Sequence, residues 1–116
     1  MLQILNYQST NYTPNDTGYY KEDIVLVSQR RPPEFVKGAG ERLKKVRLAL
    51  GFNQVQFGQK LGVKKSAYSQ WESGTQLIDP LICAKLSETF SIPMDYIYTG
   101  NQLSLPDTIK NKIDIM

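Results

Sequence analysis

The sequence predicts an all-α fold built from five short helices, and three observations support this class. Apolar residues recur at spacings of three and four from residue 40 onward, which is the period of an amphipathic helix. Gly51, Gly62, Gly74 and Gly100 follow these segments, and glycine commonly follows the end of a helix. A single β-prone run, residues 24–27, has no second strong strand with which to complete a sheet. The 116 residues are therefore expected to fold around one helical core.

The chain divides into an arm, a helical domain and a tail. Residues 1–36 are predicted to be an arm that is partly disordered or binds a partner, because turn-forming residues and the prolines at 32 and 33 interrupt any helix there. Residues 37–100 contain the helical pattern, and residues 101–116 form a short tail. The start of the chain is polar and unlike a signal peptide, and no apolar run could span a membrane. A soluble, cytoplasmic protein is expected.

Three short helices are predicted between residues 40 and 73. The first covers residues 40–50. Asn53 can cap the second, which Gly62 ends after about eight residues, and the third runs from residue 64 or 65 to residue 73. The inward-facing residues are Leu43, Val46 and Leu50 in the first helix, Phe57 and Leu61 in the second, and Tyr68 and Trp71 in the third. Two short helices joined by a tight glycine-containing turn are typical of a helix-turn-helix, whose second helix can enter a major groove.

Two further helices are predicted after the third. The fourth starts at residue 79 or 80 and ends at residue 90, because Pro80 suits a first turn and apolar residues form a stripe along it. Residues 92–98 are expected to form a short fifth helix, followed by Gly100. The tail repeats apolar residues and can be helical from Pro106. These side chains would dock either on the body of the domain or on a second copy of the chain.

No enzymatic chemistry is indicated. The chain has no histidine, no cysteine cluster, no glycine-rich phosphate loop and no nucleophile with an evident base. Glu22, Asp23, Glu88 and Asp95 are best interpreted as solvated surface. Cys83 is the single cysteine, and its apolar neighbours indicate a small buried residue rather than a reactive thiol. We therefore expect no catalytic residues, no metal site and no cofactor.

Positive charge is concentrated in residues 37–74. This segment holds eight basic and two acidic residues, a net charge of +6, whereas the whole chain carries +3 and the remainder therefore −3. A basic segment between acidic flanks is typical of a surface that meets a polyanion. A merely solvated basic face is the alternative.

The stretch 47–74, RLALGFNQVQFGQKLGVKKSAYSQWESG, resembles the Cro/repressor-type helix-turn-helix family, also called the xenobiotic response element (XRE) family of regulators. The matching positions are Asn53-Gln54, Gly58, Gly62-Val63 and Trp71-Glu72-Ser73-Gly74. Residues 94–100 and the fourth helix also look like that family, so the resemblance covers about residues 38 to 100. It implies a compact repressor-like domain with a central helix-turn-helix, which binds double-stranded DNA as a transcriptional regulator, most commonly a repressor.

Gly58 and Gly62 are expected to let the second and third helices approach closely and to permit a left-handed turn. Arg47 lies on the inward side of the first helix, where an unpaired charge would be costly, and Glu72 is the one acidic residue in the second and third helices. A partly buried Arg47–Glu72 ion pair with a structural role is therefore expected, and the resemblance implies the same pair.

The outward residues of the third helix are the candidate base readers: Lys65, Ser66, Ser69 and Gln70. Lysine can donate to guanine O6 and N7, and glutamine can bond bidentately to adenine. The Gln54 amide, with the free N–H groups that start the second helix, can meet a phosphate, as the family uses a glutamine there. Further candidates for phosphate contacts are Asn53, Lys64, Tyr68, Ser73, Thr75 and Gln76, and the Tyr68 hydroxyl is expected to reach the surface. A solvated polar face without function is the alternative.

One short recognition helix reads only a few base pairs, so a homodimer on an inverted repeat is expected. Its predicted interface is the fifth helix plus the tail, around Tyr96, Tyr98, Leu103 and Leu105.

The rival hypothesis is an antitoxin or phage-type adaptor that uses the same fold mainly to bind a protein partner, through the tyrosines and the β-prone run of the arm. A third hypothesis places Arg30 and Arg31 in the minor groove.

Overall fold

The computed structural model describes residues 32–116, which form six α-helices and no strand. The helices are α1 (Pro33–Leu50), α2 (Gln54–Leu61), α3 (Lys65–Glu72), α4 (Pro80–Phe90), α5 (Met94–Thr99) and α6 (Asp107–Asp114). The all-α prediction is confirmed for this part of the chain. The β-prone run, the tyrosines of the arm, Arg30 and Arg31 lie outside the described residues.

Helix α1 begins at Pro33 rather than at Gly40, so it includes residues 33–36 of the predicted arm. Proline suits the first position of a helix, where its missing N–H removes no intrahelical hydrogen bond. The carbonyl of Pro32 accepts hydrogen bonds from the N–H groups of Phe35 and Val36, at 3.0 and 3.2 Å. The two prolines therefore mark the start of the helix, and the glycines at 38 and 40 weakened the helical signal that follows them.

Helix α1 is the centre of the fold, since α3, α5 and α6 all pack against it. Leu43 and Val46 on α1 are fully buried. Beside them lies an aromatic cluster around Phe57, whose ring centroid is 5.6 Å from that of Tyr68 and 5.7 Å from that of Phe90. These contacts join α1, α2, α3 and α4 into one core.

The tail folds back onto the body of the domain. Leu105, Ile109 and Ile113 are buried in the core that α1 also lines, and α6 packs against α1. The sequence left open whether these side chains dock on the body of the domain or on a second copy of the chain. The structure packs all three against the body of the same chain. Leu103 remains 91% exposed.

Helices α1 and α3 touch through their backbones at Gly40. A Cβ atom at this position would lie 2.3 Å from the carbonyl oxygen of Trp71 and 2.9 Å from that of Glu72. A second close approach lies one turn earlier, where a Cβ on Gly74 would be 3.0 Å from the Cα of Lys37. The N-terminal half of α1 therefore lies directly against the carboxyl end of α3.

Three cationic side chains hold the carboxyl ends of neighbouring helices. Arg42 donates from Nε and Nη2 to the carbonyl oxygens of Ile97 and Tyr98 in α5, at 2.8 and 3.0 Å. Lys85 donates to the carbonyl of Leu61 at the end of α2, and Lys112 to that of Ala49 near the end of α1. Cations are favourable at these ends because the last carbonyls lack partners within the helix. No helix within residues 32–116 is long and apolar enough to cross a lipid bilayer.

Candidate nucleic-acid interface

Helices α2 and α3 are joined by three residues, Gly62, Val63 and Lys64. Gly62 ends α2 in the left-handed region, with a φ of 75° that disfavours any residue with a side chain. The N–H of Val63 then donates to the carbonyl of Gly58 at 2.8 Å. A Cβ on Gly58 would lie 3.0 Å from the Val63 carbonyl oxygen, so both glycines are required by the close turn. The arrangement is a helix-turn-helix.

The start of α2 is fixed by a capping box. Asn53 Oδ1 accepts a hydrogen bond from the backbone N–H of Gln56 at 2.8 Å, and Gln56 Oε1 accepts one from the N–H of Asn53 at 2.9 Å. The side chain of Asn53, a predicted phosphate contact, is thus used within the helix cap. The first intrahelical hydrogen bond of α2 runs from the N–H of Phe57 to the carbonyl of Asn53. The N–H groups of Gln54 and Val55 precede that donor and have no acceptor within the helix.

Two aromatic residues determine which face of α3 turns outward. Tyr68 and Trp71 are both buried, with ring centroids 6.0 Å apart. On the opposite face, Lys65, Ser66 and Gln70 are exposed. Ser69 is half-buried, and its hydroxyl donates to the carbonyl of Ser66 at 3.1 Å. The structure therefore brings the four predicted base readers onto one helix and leaves three of them fully exposed.

Tyr68 does not contact solvent, contrary to the prediction that its hydroxyl reaches a phosphate. The side chain is 0% exposed, and its hydroxyl is enclosed in the core beside the Arg47–Glu72 ion pair. Burial raises the pKa of this hydroxyl far above its ordinary value. The ring packs edge-on against Phe57 in the core, and Gly58 brings the backbone of α2 close to Tyr68.

Arg47 and Glu72 form a buried, bidentate ion pair. Nε of Arg47 lies 2.6 Å from Oε2 of Glu72, Nη2 lies 3.1 Å from Oε1, and the two side chains are only 9% and 4% exposed. Nη1 of Arg47 donates to the carbonyl of Phe52 at 2.9 Å. Oε1 of Glu72 also accepts from the Gln54 amide at 3.1 Å. Glu72 therefore connects α1, α3 and the start of α2, and it holds the side-chain amide of Gln54 in place.

Glu72 should make the stability of the protein depend on pH in the acid range. Burial raises the pKa of its carboxyl, but the hydrogen bonds that it accepts, above all from Arg47, and the positive charge of Arg47 outweigh this and leave the pKa below the ordinary value of 4.5. A carboxyl whose pKa is lower in the folded state contributes stability that is complete above 4.5 and is lost as the pH falls through the folded value. We expect Glu72→Gln to reduce stability at pH 7 and to remove part of the acid-range slope. Urea unfolding of both chains between pH 7 and pH 3 measures this, and parallel curves would contradict it.

The loop after α3 is tied to the helix by its own polar groups. The hydroxyl of Ser73 donates to the carbonyl of Gln70 at 3.1 Å and lies 2.9 Å from the Thr75 hydroxyl. The N–H groups of Thr75 and Gln76 also donate to that Gln70 carbonyl. Lys64, Ser73, Thr75 and Gln76 are all exposed, so four of the predicted phosphate contacts lie at the surface at the two ends of α3.

The predicted dimer interface needs correction at two positions. Tyr96 and Leu105 are 2% and 4% exposed within the single chain, because both belong to its own core. Tyr96 lies on α5, which packs against α1 and α4. Tyr98 is half-buried, donates from its hydroxyl to the carbonyl of Ile78 at 2.8 Å and stacks on Phe35. Leu103 is the exposed member of the predicted set.

Sequence reasoning missed the roles of Gly40 and Arg42, which hold α3 and α5 against α1. A glycine inside an amphipathic helix is the one available signal for a close backbone contact. That signal does not identify the partner, because the contacted backbone atoms of α3 and α5 are distant in the sequence. No group of three or more metal-binding side chains occurs within residues 32–116.

Comparison with known proteins agrees with this geometry. A family model described as "Helix-turn-helix" matches residues 43–97, the part of the chain from the middle of α1 to α5. The SPbeta prophage-derived uncharacterized HTH-type transcriptional regulator YonR of Bacillus subtilis is 33% identical over 61 residues, which cover 53% of this chain and 56% of that protein. A protein of Pyrococcus furiosus, provisionally named as an HTH-type transcriptional regulatory protein, is 29% identical over 72 residues, covering 62% of this chain and 23% of that protein.

The chain thus spans about half the length of one curated relative and about a quarter of the other. No solved structure matches it significantly. Residues 43–97 are therefore similar to the helix-turn-helix family, and this similarity agrees with the helix-turn-helix geometry and with the resemblance of the sequence to Cro/repressor-type regulators.

Proposed function

We propose that this protein is a sequence-specific transcriptional regulator that binds double-stranded DNA, acts as a repressor and reads the major groove with α3. The observation that carries the proposal is the outward face of α3. Two buried aromatic anchors and a backbone contact to α1 fix the helix, and Lys65, Ser66 and Gln70 are exposed on it. A fixed helix with exposed donors and acceptors is what base recognition requires.

The start of α2 supplies the complementary contact to the DNA backbone. Free N–H groups at a helix N-terminus attract a phosphate, and the amide of Gln54 lies beside them, held by Glu72. Phosphate contacts fix the register of the protein on the duplex but carry no sequence information. Gln54 would therefore determine how α3 enters the groove, while Lys65 and Gln70 would determine which bases are accepted.

The protein would bind as a homodimer, because one helix of eight residues reads only part of a site and paired half-sites require a two-fold arrangement. Leu103, exposed between α5 and α6, is the predicted interface residue that a second copy could cover.

Selection of bound duplexes from a random-sequence pool at physiological salt tests base reading, since nonspecific phosphate binding is weak there. We expect an inverted repeat to emerge, and Lys65→Ala and Gln70→Ala each to relax particular positions in it, with a loss of about 1–3 kcal/mol of discrimination. Lys45→Ala is the matched control, because Lys45 is an exposed lysine on α1. It should leave the selected sequence unchanged.

Failure to enrich any sequence would overturn the proposal and favour the protein-partner hypothesis. In that case, co-purification of the full chain with candidate partners, with and without residues 1–31, becomes the decisive experiment. If a repeat is selected, its insertion into a reporter promoter tests the direction of regulation. Lower expression in the presence of the protein is expected, and higher expression would contradict the repressor role.

A further inference from the structure

We infer that α1 carries a second DNA-contacting surface, in which Lys37 and Lys44 bind phosphates of the DNA backbone beside α3. The inference rests on the proposed function, because it concerns the same duplex and adds a set of contacts outside the helix-turn-helix. Each of the two lysines would supply one ammonium group to the negatively charged phosphates, which are regularly spaced along the duplex.

The side of α1 that faces α3 is defined by two contacts. Gly40 touches the carbonyl oxygens at the end of α3, and Arg47 pairs with Glu72 of the same helix. Residues three or four apart lie on one face of a helix. Lys37 lies three residues before Gly40. Lys44 lies four residues after Gly40 and three residues before Arg47. Both lysines therefore lie on the α3-facing edge of α1, and both are exposed.

Each lysine adjoins a different part of the proposed DNA surface. The backbone of Lys37 is in contact with Gly74, in the loop that presents Thr75 and Gln76. Lys44 is one turn from Arg47, which is connected through Glu72 to the amide of Gln54 at the start of α2. The two lysines are separated by about 10 Å along the helix axis. They therefore add one ammonium group beside the loop and one beside the start of α2, although exposed Glu41 lies within one helical turn of both lysines.

The other cations of this region are occupied or turned away. Arg42, Arg47 and Lys85 hydrogen-bond to groups of the chain itself, and the ammonium of Lys60 lies 5.9 Å from the Phe52 ring centroid. Lys37 and Lys44 have no hydrogen bond or ion pair within residues 32–116. Lys45 follows Lys44 by one residue and so points about 100° away around the helix axis.

The test is the salt dependence of binding to the selected duplex, measured for the unaltered full chain and for Lys37→Ala, Lys44→Ala and Lys45→Ala. Each phosphate contact adds about one to the slope of log affinity against log salt. We expect Lys37→Ala and Lys44→Ala each to reduce the slope by about one and the affinity at 0.1 M salt by about three- to tenfold. The double variant should lose about two from the slope, and Lys45→Ala should change neither quantity. The selected sequence should stay the same in all of them, because phosphate contacts do not read bases.

The outcomes separate the two proposals. If the unaltered chain binds and the slopes of Lys37→Ala and Lys44→Ala equal the unaltered slope, this inference is overturned and the proposed function stands. If Lys45→Ala reduces the salt-dependence slope as much as Lys44→Ala does, the reduction reflects the net charge of the chain alone. The inference is then overturned as well. If the unaltered chain binds no duplex, both proposals fail. Thermal unfolding of each variant shows that the fold is retained.

Discussion

Gly40→Ala is expected to destabilise the protein by about 2 kcal/mol, although alanine is the better helix former. The added Cβ would lie 2.3 Å from the Trp71 carbonyl oxygen, a backbone atom that cannot rotate away. Helix α1 or α3 would have to shift, and the core between them would loosen. Overpacking of this kind typically costs about 1–3 kcal/mol, which outweighs the gain of about 0.5–1 kcal/mol from replacing a helical glycine. Urea unfolding should show a lower midpoint with an unchanged slope.

Gly38→Ala is the matched control on the same helix. Its Cβ would lie 3.3 Å from the guanidinium of Arg42, the far end of a flexible side chain. This substitution should be neutral or stabilise the protein by up to about 1 kcal/mol. Equal destabilisation by the two substitutions would mean that the α1–α3 contact is not the cause.

Arg47→Met is expected to have the largest effect, a loss of about 3–5 kcal/mol, because it leaves the Glu72 carboxylate buried without its ion-pair partner. The side-chain amide of Gln54 would still donate a hydrogen bond to that carboxylate, but no positive charge would neutralise it. The pKa of Glu72 should rise in the variant, since the strongest hydrogen bond that lowers it is gone. Urea unfolding at pH 7 measures the loss, and the difference from the unaltered chain should shrink at acidic pH as Glu72 takes up a proton.

The double variant Arg47→Met with Glu72→Leu separates the charge from the packing. Replacing both members of a buried pair by apolar residues is often nearly neutral, so most of the lost stability should return. A double variant as unstable as the single one would show that the hydrogen bond from Arg47 to the Phe52 carbonyl matters more than the pair. The refolded double variant should still bind DNA less tightly, because nothing then fixes the Gln54 amide.

Helix positions were predictable from the sequence where glycines and apolar spacing agreed. Gly51, Gly62 and Gly100 have positive φ at the ends of α1, α2 and α5, as expected for left-handed helix caps. The start of α1 was not predictable in this way, because Gly38 and Gly40 lower helix propensity and the reason for Gly40 is a contact with distant residues. The spacing of apolar residues shows which face of a helix is buried, but it does not show which other helix packs against that face.

The outward face of α3 followed from the spacing of Tyr68 and Trp71, two large residues that a small domain must bury. The roles of short polar residues did not follow. Asn53 and Ser73, which were expected to contact phosphate, also bond to nearby backbone, as short polar side chains commonly do at helix ends, and their phosphate contacts stay predictions. Tyr96 and Leu105 were assigned to an interface because the sequence does not show that α5 and the tail both pack against α1 of the same chain.

The contact at Gly40 makes the position of α3 independent of the residues on its exposed face. The two helices meet through main-chain atoms and a glycine, so the position of α3 does not depend on the side chains that it presents to solvent. Residues 65, 66 and 70 can therefore change identity with little cost to folding, because none of them is buried. If α3 reads bases as proposed, a domain built in this way can acquire new target sequences by surface substitutions alone, and its binding specificity can evolve while its stability is retained.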